Sequence, residues 1–555
     1  MADASFDVVV IGGGQQGLVV SNYVALNGMT VGLFEQRHEL GGCAATNPTP
    51  APGFIGNPHA EHLGFWNSPC NQDFRLHEKG LKFIFPEVMA SMAFTNDKCL
   101  VFYTAVEWEK ATGAITPQLD IVMRNISEVE RVSSGDAEKM AKLAEKDLWD
   151  FFTAVFLHLY NPPPLPGEPD YIEMQLSDPE AFPDPRYQFM TEYEIICDLF
   201  ESPELQTYCM TWNHYNGVYA DDVAPIAMAM LWLSTIFGIS GLACAEGGTH
   251  NVTHALQRAL NEQGGQFFVD ADVDQVLMQN GRACGIRLAD GTEVEAKQLV
   301  IDSSGAEEII NRHLRDVSID LEIRRKINKL RHDRSQFFWG HIAFHELPEY
   351  KAASWNPDVG KARWLLMGDP DPEYIYRDYR YNAQHTKPGQ FPPKMYPTAS
   401  TETQWDTSYG PPGKNLAIVG IGGAPPASWL NDQEWIQLKK ETGDRIAAEW
   451  QKYAPNMTRD NIIAINIGTP YDHVRKNANW VDGDVQPPSI IPSQWGKNRP
   501  IPELAQYQVP GIENFYLASG HHNVGLVGGS GYNCYKRIAQ HHGFRKPWEE
   551  QGRLL

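Results

Sequence analysis

The sequence predicts an α/β fold whose first layer is a parallel sheet wrapped by helices. Three stretches carry that expectation. The chain opens on an apolar run, a glycine turn, an amphipathic stretch and a second apolar run within its first 36 residues. Residues 247–306 read as a helix followed by several short strands. Residues 510–540 read as an apolar strand, a glycine-rich turn and a helix start. Continuous apolar runs suit parallel strands buried on both faces, and a 3.6-residue period suits the helices that cross over them.

In the first stretch, residues 6–11 (FDVVVI) form the predicted first strand, and Gly12, Gly14 and Gly17 follow it as G-x-G-x-x-G. The first glycine permits a tight turn, the second lets backbone approach a pyrophosphate, and the third lets helix and sheet pack closely. A helix over residues 15–27 aims its N-terminus at phosphate, and Gly28 suits its C-terminal cap. Residues 30–34 form the second strand, ending at Glu35, where a carboxylate can accept ribose hydroxyls. Gln36, beside it, is counted with the cofactor residues. The order strand, turn, helix, strand, acid predicts a Rossmann-like dinucleotide site, and NAD and FAD satisfy it equally.

In the second stretch, Thr249 or Asn251 starts a helix running to about Glu262. Strand-like runs follow at 266–269, 273–278, 283–288, 293–295 and 299–302. Asn280-Gly281 and Asp290-Gly291 between them are two-residue hairpin signals, so a small antiparallel meander is expected on the nucleotide-binding sheet. In the third, residues 515–518 are the strand, and a helix N-terminus near Gly531 is placed to direct backbone N–H groups and its dipole at a bound cofactor.

The segment "RHELGGCAAT" at 37–46 separates the two cofactors. Its pair Gly41-Gly42 resembles the continuation of the fingerprint in FAD-binding oxidoreductases of the amine oxidase and phytoene desaturase superfamily. With "LHEKGLKFIFPE" (76–87), "YPTASTETQWDTSYGPPGKN" (396–415) and "NRPIPELAQYQVPGIENFYL" (498–517), the chain resembles the phytoene desaturase-like flavoproteins. The branch is that of the desaturase-type carotenoid ketolases and the pyridine nucleotide-disulfide oxidoreductase domain-containing protein 2 group. The resemblance implies bound FAD in a discontinuous Rossmann-like domain, a substrate domain of mixed sheet plus helices, and removal of hydrogen from an apolar substrate. It implies that Gly41 and Gly42 lie by the diphosphate and flavin and that Val273 meets the adenine side through its backbone; Cys43, after the pair, is either a residue approaching the flavin or a small packing residue, and Gly520, Gly531 and Tyr532 are counted with the cofactor residues. In these relatives the last strand leads into a "G-x-x-T-H-P-G-G" type turn. Here "SGHHNVGLVGG" is shorter, lacks proline and sets two histidines together, which bears on the substrate more than on the cofactor.

A substrate C–H aligned with flavin N5 can leave as hydride while the protein supplies positioning and electrostatics. His521 and His522, with Tyr532, are the candidate catalytic groups; Asn523 belongs to the same turn. A histidine there acts as a base, bonds a substrate oxygen, or serves as a turn residue bonded to backbone. His59 and His62 in "NPHAEHLGFW", Trp212, His214 and Tyr215 in "TWNHYNGVY", and Trp339 and His341 in "FFWGHIAFHEL" are the candidate substrate-lining residues, with core packing as the alternative for each. Strand alternation sets Trp339, His341 and His345 on one face, either a cavity floor or the wetter side of the sheet. No metal site is expected.

The formal net charge of -23 argues against nucleic acid. Eight cysteines without a C-x-x-C pair suit reduced, buried thiols and a cytoplasmic setting. The N-terminus shows no signal peptide pattern. The uncharged stretch 223–245 is long enough for a membrane span but carries Pro225, Gly238 and Gly241, so a buried helix is expected, with peripheral membrane contact left open. The basic stretch 324–334 reads as a helix with a solvated face. The expected domains are 1–75, 240–310 and 500–555 for FAD, and 76–239 and 311–499 for substrate. The partners expected are an apolar isoprenoid or alicyclic substrate and an electron acceptor that is oxygen, a quinone or a carrier protein. A flavin amine oxidase and a non-enzymatic prenyl-binding carrier are the alternatives.

Overall fold

The computed structural model describes residues 2–59, 64–109, 115–145, 148–523 and 528–553. Two seven-stranded sheets organise them. In the first, strands Gln266–Phe268, Val31–Phe34, Ala4–Ile11 and Glu293–Asp302 run parallel in that spatial order. Strand Phe515–Leu517 pairs in parallel with the far end of Glu293–Asp302, and the hairpin Val273–Gln279 / Arg282–Leu288 joins the same strand antiparallel at its start. The expected meander is thus present. Asn280 and Gly281 both take positive φ, 52° and 81°, as a two-residue primed turn requires. The two short runs expected at 293–295 and 299–302 are one continuous strand.

The second sheet runs Ile462–Gly468, Phe337–Phe344, Asn415–Gly422, Thr398–Thr401, Trp364–Gly368, Val88–Phe94, Cys99–Tyr103. It is mostly antiparallel, with Trp364–Gly368 and Val88–Phe94 parallel. Helices between residues 119 and 236 and the long helix Asp432–Tyr453 accompany it. The architecture is therefore α/β, a Rossmann-like unit joined to a mixed sheet with helices, as expected.

Three local expectations are corrected. The apolar stretch 223–245 is buried, but only Ile226–Met228 and Ala229–Ile236 are helical. Gly238 takes φ 79°, and a Cβ there would meet the Tyr103 carbonyl at 2.3 Å, so the chain must turn where it passes that strand. Among the described residues no helix is long and apolar enough to cross a membrane. The basic helix stops at Ile327, and Arg334 beyond it is buried against Asp222 and Asp333 rather than solvated. Strand Phe337–Phe344 is buried along its whole length between two neighbours, so it has no wet side; His345 lies past its end, against Lys414. All eight cysteines are free thiols.

Candidate dinucleotide cleft

The carboxyl ends of Ala4–Ile11, Val31–Phe34 and Glu293–Asp302 open onto a cleft of about 1170 Å³, mouth included. The first wall is the glycine turn. Gly12 has φ 88°, and a Cβ there would meet Ser303 Oγ at 2.6 Å. Ser303 Oγ donates to the carbonyls of Ile11 and Gly12, pinning the turn to the strand end of the meander. Gly17 closes helix on strand: its Cβ would lie 2.0 Å from the Gly12 carbonyl oxygen. Gly14 differs, since a Cβ there would meet only Gly42 Cα at 3.9 Å; its open side faces the cleft. Helix Gln15–Ala25 starts at Gly14, so its first N–H groups and positive dipole end lie at the cleft.

Glu35 ends the second strand and is buried. Its Oε2 accepts from the Gly13 N–H at 2.7 Å and its Oε1 from the Arg37 N–H at 2.9 Å. Burial pushes its carboxyl above the ordinary value, and those backbone donors oppose the shift. Gly41 (φ 133°) and Gly42 (φ 61°) fold back on the fingerprint: Gly41 N–H donates to the Gly13 carbonyl, and Gly14 and Gly41 form a bridge.

The cleft is lined by Gly12, Gly14, Glu35, Gln36, Gly42, Cys43, Val273 and Gly520 of the sequence-derived cofactor residues. Gly17 and Gly41 are packed behind it, as the contacts above require. Gly531 and Tyr532 are placed elsewhere. Helix Gly529–His542 begins two residues before Gly531, whose N–H donates to Gln16 Oε1 and whose Cβ, if present, would meet the Gln16 carbonyl at 2.4 Å. That helix end docks on the first helix instead of aiming Gly531 at the cleft. Tyr532 is fully buried among Tyr23, Tyr160 and Trp548.

The opposite wall was missed by sequence reasoning. It is residues 476–480 and 485–487, which follow helix Pro470–Lys476 of the second-sheet half. Asn479 fastens it: its Oδ1 accepts from the Gly305 N–H at 2.8 Å, and its carbonyl bonds His521 Nε2 at 3.2 Å. Arg37 reaches across to the Lys476 carbonyl at 2.6 Å. The floor holds His313, paired at 2.6 Å with Asp302 buried behind it. Burial alone would lower the His313 pKa, but the adjacent Asp302 carboxylate outweighs it and raises it.

Of the paired histidines, His521 lines the cleft and His522 does not. His521 Nδ1 accepts from the Ala306 N–H at 3.1 Å while Nε2–H donates to the Asn479 carbonyl, so the ring bonds backbone on both sides. Glu307 Oε2 lies 3.3 Å from Nδ1, and its Oε1 accepts from His332 Nε2–H at 2.6 Å, a bond that works against burial to hold the Glu307 carboxyl far below its ordinary value. His522 stacks on Tyr507, bonds the Leu504 carbonyl and, pushed down by burial to a pKa of about 3, is neutral. It lines a separate small pocket with Asn523.

The substrate-lining candidates fall into three places. Trp212, Tyr215 and Trp339 all pack on Trp364 in one aromatic cluster. His214 stacks parallel on Tyr379 at 5.0 Å, and the His341 ring fills the space a Gly56 side chain would occupy. None of these five lines the cleft, because each is packed into the core of the second-sheet half. His59 meets Trp480, a cleft residue, edge-on at 4.5 Å, with His473 5.3 Å away. Burial lowers the pKa of both histidines, to about 4 for His473. His62 lies outside the described residues. Among the described residues no cluster of metal-binding side chains occurs.

With that geometry in place, a family model for an NAD(P)-binding Rossmann-like domain matches residues 10–74. A limonene dehydrogenase polypeptide of Castellaniella defragrans is 24% identical, across 99% of this chain and 97% of its own. Pyridine nucleotide-disulfide oxidoreductase domain-containing protein 2 of Mus musculus is 21% identical, across 95% and 92%. A solved oxidoreductase from Methanosarcina mazei superposes with a TM-score of 0.58 at 16% identity, across 96% of this chain and 99% of that one. Cyclohexylamine oxidase from Brevibacterium oxydans gives 0.54 at 13%, across 97% and 99%. The resemblance read from the residues is borne out in kinship and in fold: the chain is an oxidoreductase, and its cleft fits FAD.

Proposed function

We propose that this chain binds FAD in the cleft and removes hydride from an uncharged, apolar small molecule of the isoprenoid or alicyclic class. The observation that carries the reading is the cleft itself. It gathers Gly12, Gly14, Glu35, Gly42, Val273, Ser303 and Gly520 from segments spread over 500 residues, at the ends of parallel strands where such folds bind dinucleotides. The substrate class is supported by the aromatic and neutral-histidine surroundings of Trp480, and by the naming of limonene in a relative that matches nearly end to end.

FAD, when bound, supplies the two-electron acceptor. The residues of the chain do the rest: Glu35 accepts ribose hydroxyls, the helix N-terminus at Gly14 faces phosphate, and Trp480 forms the wall on the substrate side. The test is an anaerobic screen of the purified flavoprotein with limonene and related cyclic terpenes, carotenoids and amines. Rapid bleaching of the flavin band by a terpene is expected. Bleaching by amines alone would turn the reading to an amine oxidase, and a protein that neither contains nor takes up FAD would overturn it.

A further inference from the structure

We propose that Lys476 is a cofactor-binding residue whose ammonium, delivered from the second-sheet half, faces the diphosphate of the dinucleotide held by the glycine turn. The inference rests on the FAD reading above and adds a residue from the opposite wall of the cleft.

A diphosphate brings two negative charges into a cleft already lined by the carboxylates of Glu35, Asp272 and Glu308. A helix N-terminus supplies about half a positive charge. Three cationic side chains line the cleft: Arg37, Arg312 and Lys476. Arg312 is committed, with one nitrogen 2.7 Å from Glu308 and another 2.6 Å from Asp272. Arg37 spends a nitrogen on the Lys476 carbonyl and sets another 3.7 Å from Glu39. Lys476 is left. Its nearest carboxylate oxygen is Glu39 Oε1 at 3.8 Å, beyond hydrogen-bond reach, and among the described residues its ammonium makes no hydrogen bond. The side chain is only 16% exposed, so water does not fully solvate that charge. Burial, and then the neighbouring Arg37, lower its pKa, the mark of a cation short of counter-charge.

Its position is fixed from both sides. Helix Pro470–Lys476 is capped by Thr469, whose hydroxyl accepts from the Asp472 N–H while Asp472 reaches back to the Thr469 N–H. Three residues beyond Lys476, Asn479 is latched to Gly305 and His521. The lysine therefore sits on a short span anchored at each end and lines the same cleft as Gly12 and Gly14.

The test uses apo-protein of the wild type, K476M and K476R, titrated with FAD at low and high ionic strength and followed by flavin fluorescence. K476M is expected to bind FAD at least about 10-fold more weakly at low salt and to show a flatter salt dependence, with K476R restoring both. Circular dichroism and thermal melting check that the fold is intact. K476M binding FAD as tightly as the wild type would overturn the proposal. So would an equal loss at both salt concentrations that K476R does not rescue, since that marks a packing role. A wild type that takes up no FAD would instead remove the reading on which the proposal stands.

Discussion

The two walls of the cleft are built on different principles. The first, Gly12 to Gly42, is backbone: a turn whose glycines let chain pass within van der Waals contact of chain, held by Gly13, Glu35 and Ser303. The second is side chains and carbonyls from residues 305, 476–480 and 521, brought together across more than 200 residues of sequence. One wall fails by steric clash and the other by the loss of individual bonds. The first is accordingly intolerant of a side chain at Gly12 or Gly17, while the second loosens in steps.

Three substitutions sharpen that contrast. The largest effect is expected at Gly17, where a Cβ would lie 2.0 Å from the Gly12 carbonyl oxygen. Gly17→Val should destabilise by more than about 4 kcal/mol and abolish flavin retention, read as soluble yield and flavin absorbance. A soluble, yellow variant would show the first wall to be pliable.

The second effect is at the floor. His313→Gln strips the buried Asp302 of its charged partner and should cost about 3 kcal/mol at low pH. The folded-state pKa of His313 is raised above 6.5, so its stabilisation is fully present below that value and is lost as pH rises through the folded value. Urea unfolding across pH should show the wild type and the variant converging in alkali; a constant gap would refute the linkage.

The smallest effect is at the latch. Asn479→Ala removes the acceptor of the Gly305 N–H, about 1 kcal/mol. Faster FAD release with little change in melting temperature is expected; an unchanged release rate would show that Asn479 does not hold the second wall.

The same contrast explains what could be read in advance. The first wall was legible because G-x-G-x-x-G, the strands either side and Glu35 are local, and the backbone geometry leaves few alternatives. Asn280-Gly281 was legible for the same reason. Lys476, Asn479 and Trp480 carry no local signal; their role exists only because residues 470–487 cross to the other half. Hydropathy showed that residues 223–245 are buried but not their shape, which Pro225, Gly238 and the close pass at Tyr103 decide. For the paired histidines the sequence offered both a base and a backbone-bonded turn residue. At His521 the structure supplies the backbone bonds, because the partners at 306 and 479 are distant in sequence.

Strand Glu293–Asp302 lies between Ala4–Ile11 on one edge and Phe515–Leu517 on the other, so the sheet beneath the cleft stays incomplete until residue 517 has been synthesised. A nascent chain leaving the ribosome would carry its nucleotide-binding turn from early on, yet be unable to close the pocket until Phe515–Leu517 emerges. Completion of the cleft is thereby tied to the late stages of synthesis, since Gly520 and His521 line it. A product terminated before that strand lacks both the sheet edge beside Glu293–Asp302 and the cleft residues Gly520 and His521.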